Sequence, residues 1–203
     1  MLTLASGKPV DLDHLRVEDV DFAIFAQHIA KEPRFNGATP DAVYSVGQHS
    51  CIGADAILKA GGTEIEAAYF LLHDLREAIW RDDTAPKKKT IAKRIEVNCG
   101  VLADDILGVF DDLEDEHDAA IHQAAGLPWP MTPDVKRHVK LMDIIMFVTE
   151  WRDVMNNIPH PNWAPYSGVK PLEEKIEPWP WPMARAGWML RANRLLPSVR
   201  GKL

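Results

Sequence analysis

The sequence predicts an all-α fold, and three observations lead to this class. Apolar residues recur every three to four positions in several long segments, which is typical of amphipathic helices. Strictly alternating strand patterns are few, and internal repeats are absent. The length of 203 residues suits one domain with a substantial core. We therefore expect a helical bundle over residues 1–157, with 1–16 as an irregular arm or short hairpin, and a Pro/Trp-rich extension over 158–203 that packs on the same domain.

Composition and charge narrow the functional class. The share of hydrophobic residues (46%) and of charged residues (26%) is ordinary for a soluble globular protein. The net charge of -7 argues against binding of nucleic-acid polymers, although local Arg and Lys residues can still hold a small anion. No apolar stretch suits a membrane span or a signal peptide, so we expect a cytoplasmic protein. Cys51 and Cys99 have neither disulfide nor metal spacing, and we expect both to be small core residues.

The first two predicted helices cover residues 17–30 and 42–58. The first ends before Pro33, because proline disfavours helical backbone in the residue before it. Arg34 therefore lies on a loop, where it is either a solvated surface residue or a ligand for an anion. His49 lies within the second helix, and a single histidine there is either a hydrogen-bonded residue or a ligand.

The third predicted helix, over 64–80, carries an unusual polar cluster. Thr63 precedes it in a capping-box pattern, and the helix contains neither Pro nor Gly. An apolar run leads into His73 and Asp74, and Glu77 follows one turn later on the same face. Such groups are costly to bury at the end of an apolar helix unless something pairs them, and a divalent metal would do so.

Two charged segments follow this helix. Lysines 87–89 open the next helix, predicted over 90–110, and form either a solvated basic turn or a turn in which one lysine screens a phosphate. The acidic run that begins at Asp111 is predicted to be the exposed start of a further helix, which ends at Gly126.

A long apolar helix and an irregular tail complete the chain. The helix is predicted over 132–157, and its apolar stripe encloses Asp143, a carboxylate that needs a partner if it is buried. The many Pro and Trp residues after it predict irregular backbone, with a last helix over 188–196.

Four residues on three of these helices follow the order H…HD…D: His49, His73, Asp74 and Asp143. Imidazole and carboxylate groups from facing helices suit one divalent transition metal, such as Mn, Co, Fe, Ni or Zn. The alternative is that these residues are hydrogen-bonded polar groups of the core.

This order resembles the ligand pattern of the HD-domain phosphohydrolase superfamily. Further motifs resemble its YfbR-like 5′-deoxynucleotidase branch: Arg34-Phe35-Asn36-Gly37, Tyr44-Ser45-Val46-Gly47-Gln48-His49-Ser50, Leu71-Leu72-His73-Asp74-Leu75-Arg76-Glu77-Ala78, Asp82 with Pro86, and Lys140-Leu141-Met142-Asp143. The likeness runs from about Ser6 to Arg152 and leaves out the Pro/Trp-rich tail. Bulky Trp80-Arg81 stands where a small pair is common, and Ala38 where many relatives have His.

The resemblance implies an HD-domain helical bundle that removes phosphate from deoxynucleoside 5′-monophosphates, and a homo-oligomer of two or more chains. It also implies a role for each matching residue: metal ligation by His49, His73, Asp74 and Asp143, acid–base chemistry by Glu77, a place in the substrate pocket near the sugar or the attacking water for Asp82, and phosphate binding by Arg34. We add Trp80 and Lys87 as predicted substrate contacts.

Two alternatives stay open at this point. One is a (deoxy)nucleoside triphosphate triphosphohydrolase. The other is a non-catalytic sensor that binds metal and nucleotide, with the Trp-rich tail docking a partner. The presence of Glu77 favours catalysis, because a sensor does not need a general acid or base.

Overall fold

The protein is a bundle of α-helices with one small β-hairpin, so the predicted all-α class is confirmed. The computed structural model describes residues 1–81, 84–159 and 164–201. The elements in chain order are β1 (Leu2–Thr3), β2 (Pro9–Val10), a 3-10 turn (Val17–Asp19), α1 (Phe22–Lys31), a 3-10 turn (Arg34–Gly37), α2 (Val46–Lys59), α3 (Glu64–Leu72), α4 (Glu77–Trp80), α5 (Ala85–Cys99), α6 (Ala103–Ala125), α7 (Pro133–Asp153), a 3-10 turn (Ala164–Tyr166) and α8 (Trp181–Leu195). The two strands pair antiparallel. Among the described residues, no helix is long and apolar enough to cross a membrane.

Helix α2 is the centre of the bundle, and it contacts α1, α3, α7 and α8. Two glycines allow this close packing. A Cβ at Gly53 would lie 2.0 Å from the ring of Phe70 on α3, and one at Gly47 would lie 3.1 Å from the backbone of Ala30 on α1. His49 lies between these glycines and is fully buried. The close approach of the neighbouring helices therefore places an imidazole in the interior, where it needs polar partners.

The last helix belongs to the core. The ring of Trp188 on α8 is fully buried, and its Nε1 donates a hydrogen bond to the carbonyl of Leu71 at 3.3 Å. Helix α8 begins at Trp181, earlier than predicted, with Pro182 in the first turn, where its missing N–H is not needed. The described residues 164–180 before it are mostly irregular, as the proline content predicts.

Two helices begin later than predicted, because a side chain caps the first turn of each. Asp21 accepts hydrogen bonds from two free N–H groups of α1, which begins at Phe22. Ser45 accepts one from α2, which begins at Val46. Both caps satisfy backbone donors that have no partner inside the helix.

The prediction of one helix over 90–110 is wrong, because Gly100 ends α5 in the left-handed conformation (φ 73°). The acidic run therefore lies inside α6 and does not start a helix, although Gly126 ends that helix as predicted. Cys99 at this break is exposed, so its predicted place in the core is wrong, whereas Cys51 is buried as predicted.

Candidate metal centre

The helix predicted over 64–80 is interrupted by a tight turn, and this turn carries His73 and Asp74. Hydrogen bonds there join residues three apart, such as the Glu77 N–H to the Asp74 carbonyl at 3.1 Å, so the backbone follows a 3-10 winding. The capping box predicted at Thr63 is confirmed at the other end of α3. The cluster thus lies at the junction of α3 and α4, with Glu77 one turn beyond it.

The imidazoles of His49 and His73 face each other, with 3.3 Å between their Nε2 atoms. At the other side of each ring, Nδ1 contacts an acceptor: Glu150 Oε1 at 2.5 Å for His49, and the Phe70 carbonyl at 2.6 Å for His73. A carboxylate or carbonyl oxygen can only accept, so each neutral ring carries its proton on Nδ1. Both Nε2 atoms then present lone pairs to the same point, and a cation between them would relieve their repulsion.

Two carboxylates approach the same point. Asp74 Oδ2 lies 3.1 Å from His73 Nε2 and 3.8 Å from His49 Nε2. Asp143 Oδ1 lies 3.8 Å and 4.0 Å from the Nε2 atoms of His49 and His73, respectively. The Asp143 side chain is 25% exposed, so it is half-buried and not fully enclosed in the apolar stripe. The structure thus brings together all four residues that the sequence predicts as ligands.

This donor set fits a metal ion. Potential ligand atoms of His49, His73 and Asp74 all lie within 4.8 Å of one another, so this group could hold a metal ion. Two nitrogens about 2.0–2.1 Å from one ion at a tetrahedral angle lie about 3.3–3.4 Å apart. The observed separation of the two Nε2 atoms is 3.3 Å.

Opposite charges shift the pKa values of the centre. Burial alone would raise the pKa of Asp74, but the facing His73 holds it well below its usual range. Burial alone would lower the pKa of His73, but Asp74 raises it. Burial also disfavours the charged form of Arg34, yet the carboxylates of Glu150 and Asp74 raise its pKa above the usual value. The centre is therefore a cluster of charges that stabilise one another.

A cavity of about 860 Å³ opens beside Asp143, and cations and aromatic rings line it. The cations are those of Arg34, Lys89 and Lys140. The rings form an aromatic cluster, with Phe35 5.9 Å from Trp151 and Phe147 4.8 Å from Tyr166 between centroids: Phe35, Phe147, Trp151 and Tyr166. The positively charged part of the wall can hold an anion, and the aromatic part can stack on a planar group.

The turn that carries Arg34 has strained backbone. Phe35 and Asn36 both adopt left-handed angles, with φ of 57° and 51°. Residues other than glycine rarely adopt this conformation, and such strain often occurs at functional sites. The turn places the Arg34 guanidinium beside the carboxylates of Asp74 and Glu150, and the Phe35 ring beside the ring of Trp151.

Two other predicted site residues, Trp80 and Lys87, lie away from the large cavity. Trp80 lines a separate cavity of about 50 Å³, and its Nε1 donates to His117 Nδ1 at 2.7 Å. Lys87 is exposed and does not line the large cavity, whereas Lys89 does. Asp82 lies outside the described residues. The structure therefore brings neither Trp80 nor Lys87 to the large cavity.

Glu77 is half-buried and lines the small cavity with Arg76 and Lys88. Its carboxylate also contributes to the raised pKa values of Arg34 and Arg76. Arg76 Nη1 donates to the His73 carbonyl at 2.6 Å and to Asp118 at 3.0 Å, and so braces the turn. Glu77 is thus close to the centre electrostatically without being one of its four candidate ligands.

Sequence reasoning missed Glu150, a fully buried carboxylate that contacts both His49 and Arg34. The signal was its spacing of seven residues from Asp143, which places both carboxylates on one face of α7. The apolar neighbours on the same helix obscured this signal.

Comparison with known proteins leaves the function open. No family model matches the chain. The chain is similar to an uncharacterized protein of Rhodobacter capsulatus, with 29% identity over 145 residues. The match covers 70% of this chain and 66% of that protein, slightly under two thirds of its length. The relative has no described activity, so the function has to be inferred from the centre itself.

Proposed function

We propose that the protein is a metal-dependent phosphohydrolase of the HD-domain superfamily, and that it removes phosphate from deoxynucleoside 5′-monophosphates. One observation supports this most strongly: the Nε2 atoms of His49 and His73 converge with Asp74 beside Arg34, at the edge of a large cavity. A metal site next to a phosphate-binding cation is an arrangement that suits phosphoester hydrolysis.

In this proposal four residues hold one divalent transition metal: His49, His73, Asp74 and Asp143. The mixed nitrogen and oxygen donors suit Mn, Co, Fe, Ni or Zn. When bound, the ion would offset the negative charge of the phosphate and lower the pKa of a nearby water. The carboxylates of Asp74 and Asp143 would attract the ion through their negative charges.

The substrate would lie in the large cavity, whose volume of about 860 Å³ is within the range for small-molecule sites. Arg34 would hold phosphate oxygens through its guanidinium, which suits two-point contacts. The aromatic cluster would stack on the base. This division of the wall into cationic and aromatic parts matches a ligand with one anionic and one planar end.

Glu77 would act as the general acid or base of the reaction. Water attacks phosphorus, the bond from phosphorus to the 5′ oxygen breaks, and that oxygen takes a proton as it leaves. A carboxylate one turn beyond the ligands can take a proton from the water or give one to the leaving oxygen without binding the metal.

A phosphate-release screen tests the proposal. Purified protein is supplied with Mn or Co and with deoxynucleoside mono- and triphosphates, and the products are identified by chromatography. We expect deoxynucleoside and inorganic phosphate from a monophosphate, and no product from the His73→Gln variant. The absence of phosphate release from every monophosphate by metal-loaded protein would contradict the proposal.

A triphosphohydrolase is the second candidate, and two further cations in the cavity favour it. Lys89 and Lys140 line the same cavity as Arg34 and can contact a longer phosphate chain. The same screen distinguishes the candidates, because release of intact triphosphate replaces release of phosphate. We also propose a homo-oligomer, on the resemblance, which sedimentation would test, and a cytoplasmic location, which cell fractionation would test.

A further inference from the structure

Glu150 joins the two halves of the centre. Its Oε1 atom lies 2.5 Å from Nδ1 of His49, and its Oε2 atom accepts a hydrogen bond from Nε of Arg34 at 3.0 Å. The other end of the Arg34 guanidinium donates to Asp74 Oδ2 at 3.3 Å. One carboxylate thus contacts a candidate metal ligand and the candidate phosphate-binding cation.

The buried carboxylate of Glu150 needs both donors, and it fixes the orientation of each. The Glu150 side chain is fully buried, and a carboxylate in such a place is stable only when its oxygens accept hydrogen bonds. An oxygen at Nδ1 of His49 selects the tautomer that leaves Nε2 free to ligate. An oxygen at Nε of Arg34 holds the guanidinium plane, so that its remaining donors can face a phosphate.

We propose that Glu150 is a positioning residue that couples metal binding to phosphate binding. It orients His49 toward the ion and Arg34 toward the anion at the same time. The phosphate half of this inference rests on the proposed function. The metal half requires only that the centre binds an ion.

The variant Glu150→Gln separates this role from mere packing. Glutamine has nearly the same shape but only one acceptor oxygen, and its amide nitrogen is a donor. Its oxygen can therefore accept a hydrogen bond from either His49 or Arg34, and its amide N–H group faces the N–H group of the other residue, which cannot accept. The control is Thr149→Val, which removes a buried hydroxyl from the adjacent residue of α7 that contacts neither His49 nor Arg34.

The experiment measures the affinity of each protein for Co²⁺ by calorimetry, and then the affinity of the Co²⁺-loaded protein for inorganic phosphate. We expect Glu150→Gln to weaken Co²⁺ binding by about 10- to 100-fold, and phosphate binding by about tenfold. Thr149→Val should lower the melting temperature but leave both affinities within about twofold. Unchanged Co²⁺ affinity in folded Glu150→Gln would overturn the inference.

A measurement on the unmodified protein covers the case in which Glu150→Gln does not fold. Nitrogen NMR of the metal-free protein at pH 8 reports the tautomer of His49, assigned with the variant His49→Gln. A proton on Nδ1 supports the inference, and a proton on Nε2 overturns it. Neither Co²⁺ affinity nor the tautomer of His49 depends on nucleotide turnover. If the protein releases no phosphate from nucleotides but shows the expected loss of Co²⁺ affinity and the Nδ1 proton, only the proposed reaction is excluded.

Discussion

Two pairs of histidines in the interior have contrasting surroundings. His49 and His73 face Asp74 and Asp143, with their Nε2 atoms toward one point. His117 and His122 on α6 are buried, and their rings pack against aromatic side chains. The ring of His122 stacks on Trp129 at 4.4 Å and on Tyr69 at 5.3 Å between centroids, and the ring of His117 contacts Trp80 at 5.8 Å.

The contrast separates burial from ligand function. Burial lowers the pKa of His122 to about 4 and also lowers that of His117, so both stay neutral near pH 7. The pKa of His73 is raised instead, because Asp74 outweighs the effect of burial. In this protein the carboxylates of Asp74 and Asp143, and not burial alone, distinguish the candidate ligands His49 and His73 from the second pair.

The largest expected effect is on metal binding. Replacement of His73 by Gln should weaken Co²⁺ binding by more than about 100-fold, because loss of a ligand exceeds the loss usually caused by outer residues. The matched variant His122→Gln should bind Co²⁺ as the unmodified protein does. Calorimetry measures both, and equal losses in the two variants would remove the distinction between the pairs.

The next largest effect should be on turnover, through Glu77, which lies one helical turn beyond His73 and Asp74. We expect Glu77→Gln to keep the metal and lower turnover by about 100-fold or more, because the amide cannot exchange the proton. The control Glu114→Gln lies in the same small cavity and should retain most of the turnover. Atomic absorption measures the metal content of both variants, and steady-state kinetics measures their turnover. An unchanged rate for Glu77→Gln would exclude Glu77 from the mechanism.

The second pair should make stability depend on pH. The unfolded His122 binds a proton below about pH 6.5, while the folded residue does so only below about pH 4. The contribution of His122 to the unfolding free energy is therefore fully present above about pH 6.5. It falls as the pH drops toward 4, by up to about 3 kcal/mol. Urea denaturation across this range should show a smaller pH dependence for His122→Gln, and an equal dependence would contradict the lowered pKa.

The smallest expected effect is on unfolding free energy, through the spacing of α2 and α3. His49 lies on α2, and His73 directly follows α3. Gly53→Ala would place a Cβ 2.0 Å from the Phe70 ring, so we expect a loss of about 1–3 kcal/mol in unfolding free energy. Gly108→Ala on α6 meets no atom within 4 Å and should stabilise the helix by about 0.5–1 kcal/mol. Denaturant unfolding gives both values, and Gly53→Ala as stable as the unmodified protein would show that the helices can separate there.

Features that depend on neighbouring residues could be predicted from the amino-acid sequence. Helical periodicity predicts the all-α class, Thr63 predicts a capped helix start, and Gly126 predicts a helix end. The motif order identifies His49 and His73 as candidate ligands. The helix signals act within a few residues, and the motif order is a property of the chain itself, so neither requires knowledge of the fold.

Contacts between residues far apart in the chain depend on how the helices pack. Glu150 contacts His49 across 101 positions of the chain and Arg34 across 116, and no local pattern encodes either contact. Trp80 adjoins the motif in sequence, yet its indole N–H bonds to His117 and its ring lies away from the large cavity. Such outcomes follow from the packing of whole helices, because burial forces each polar group to find whichever partner the fold brings near.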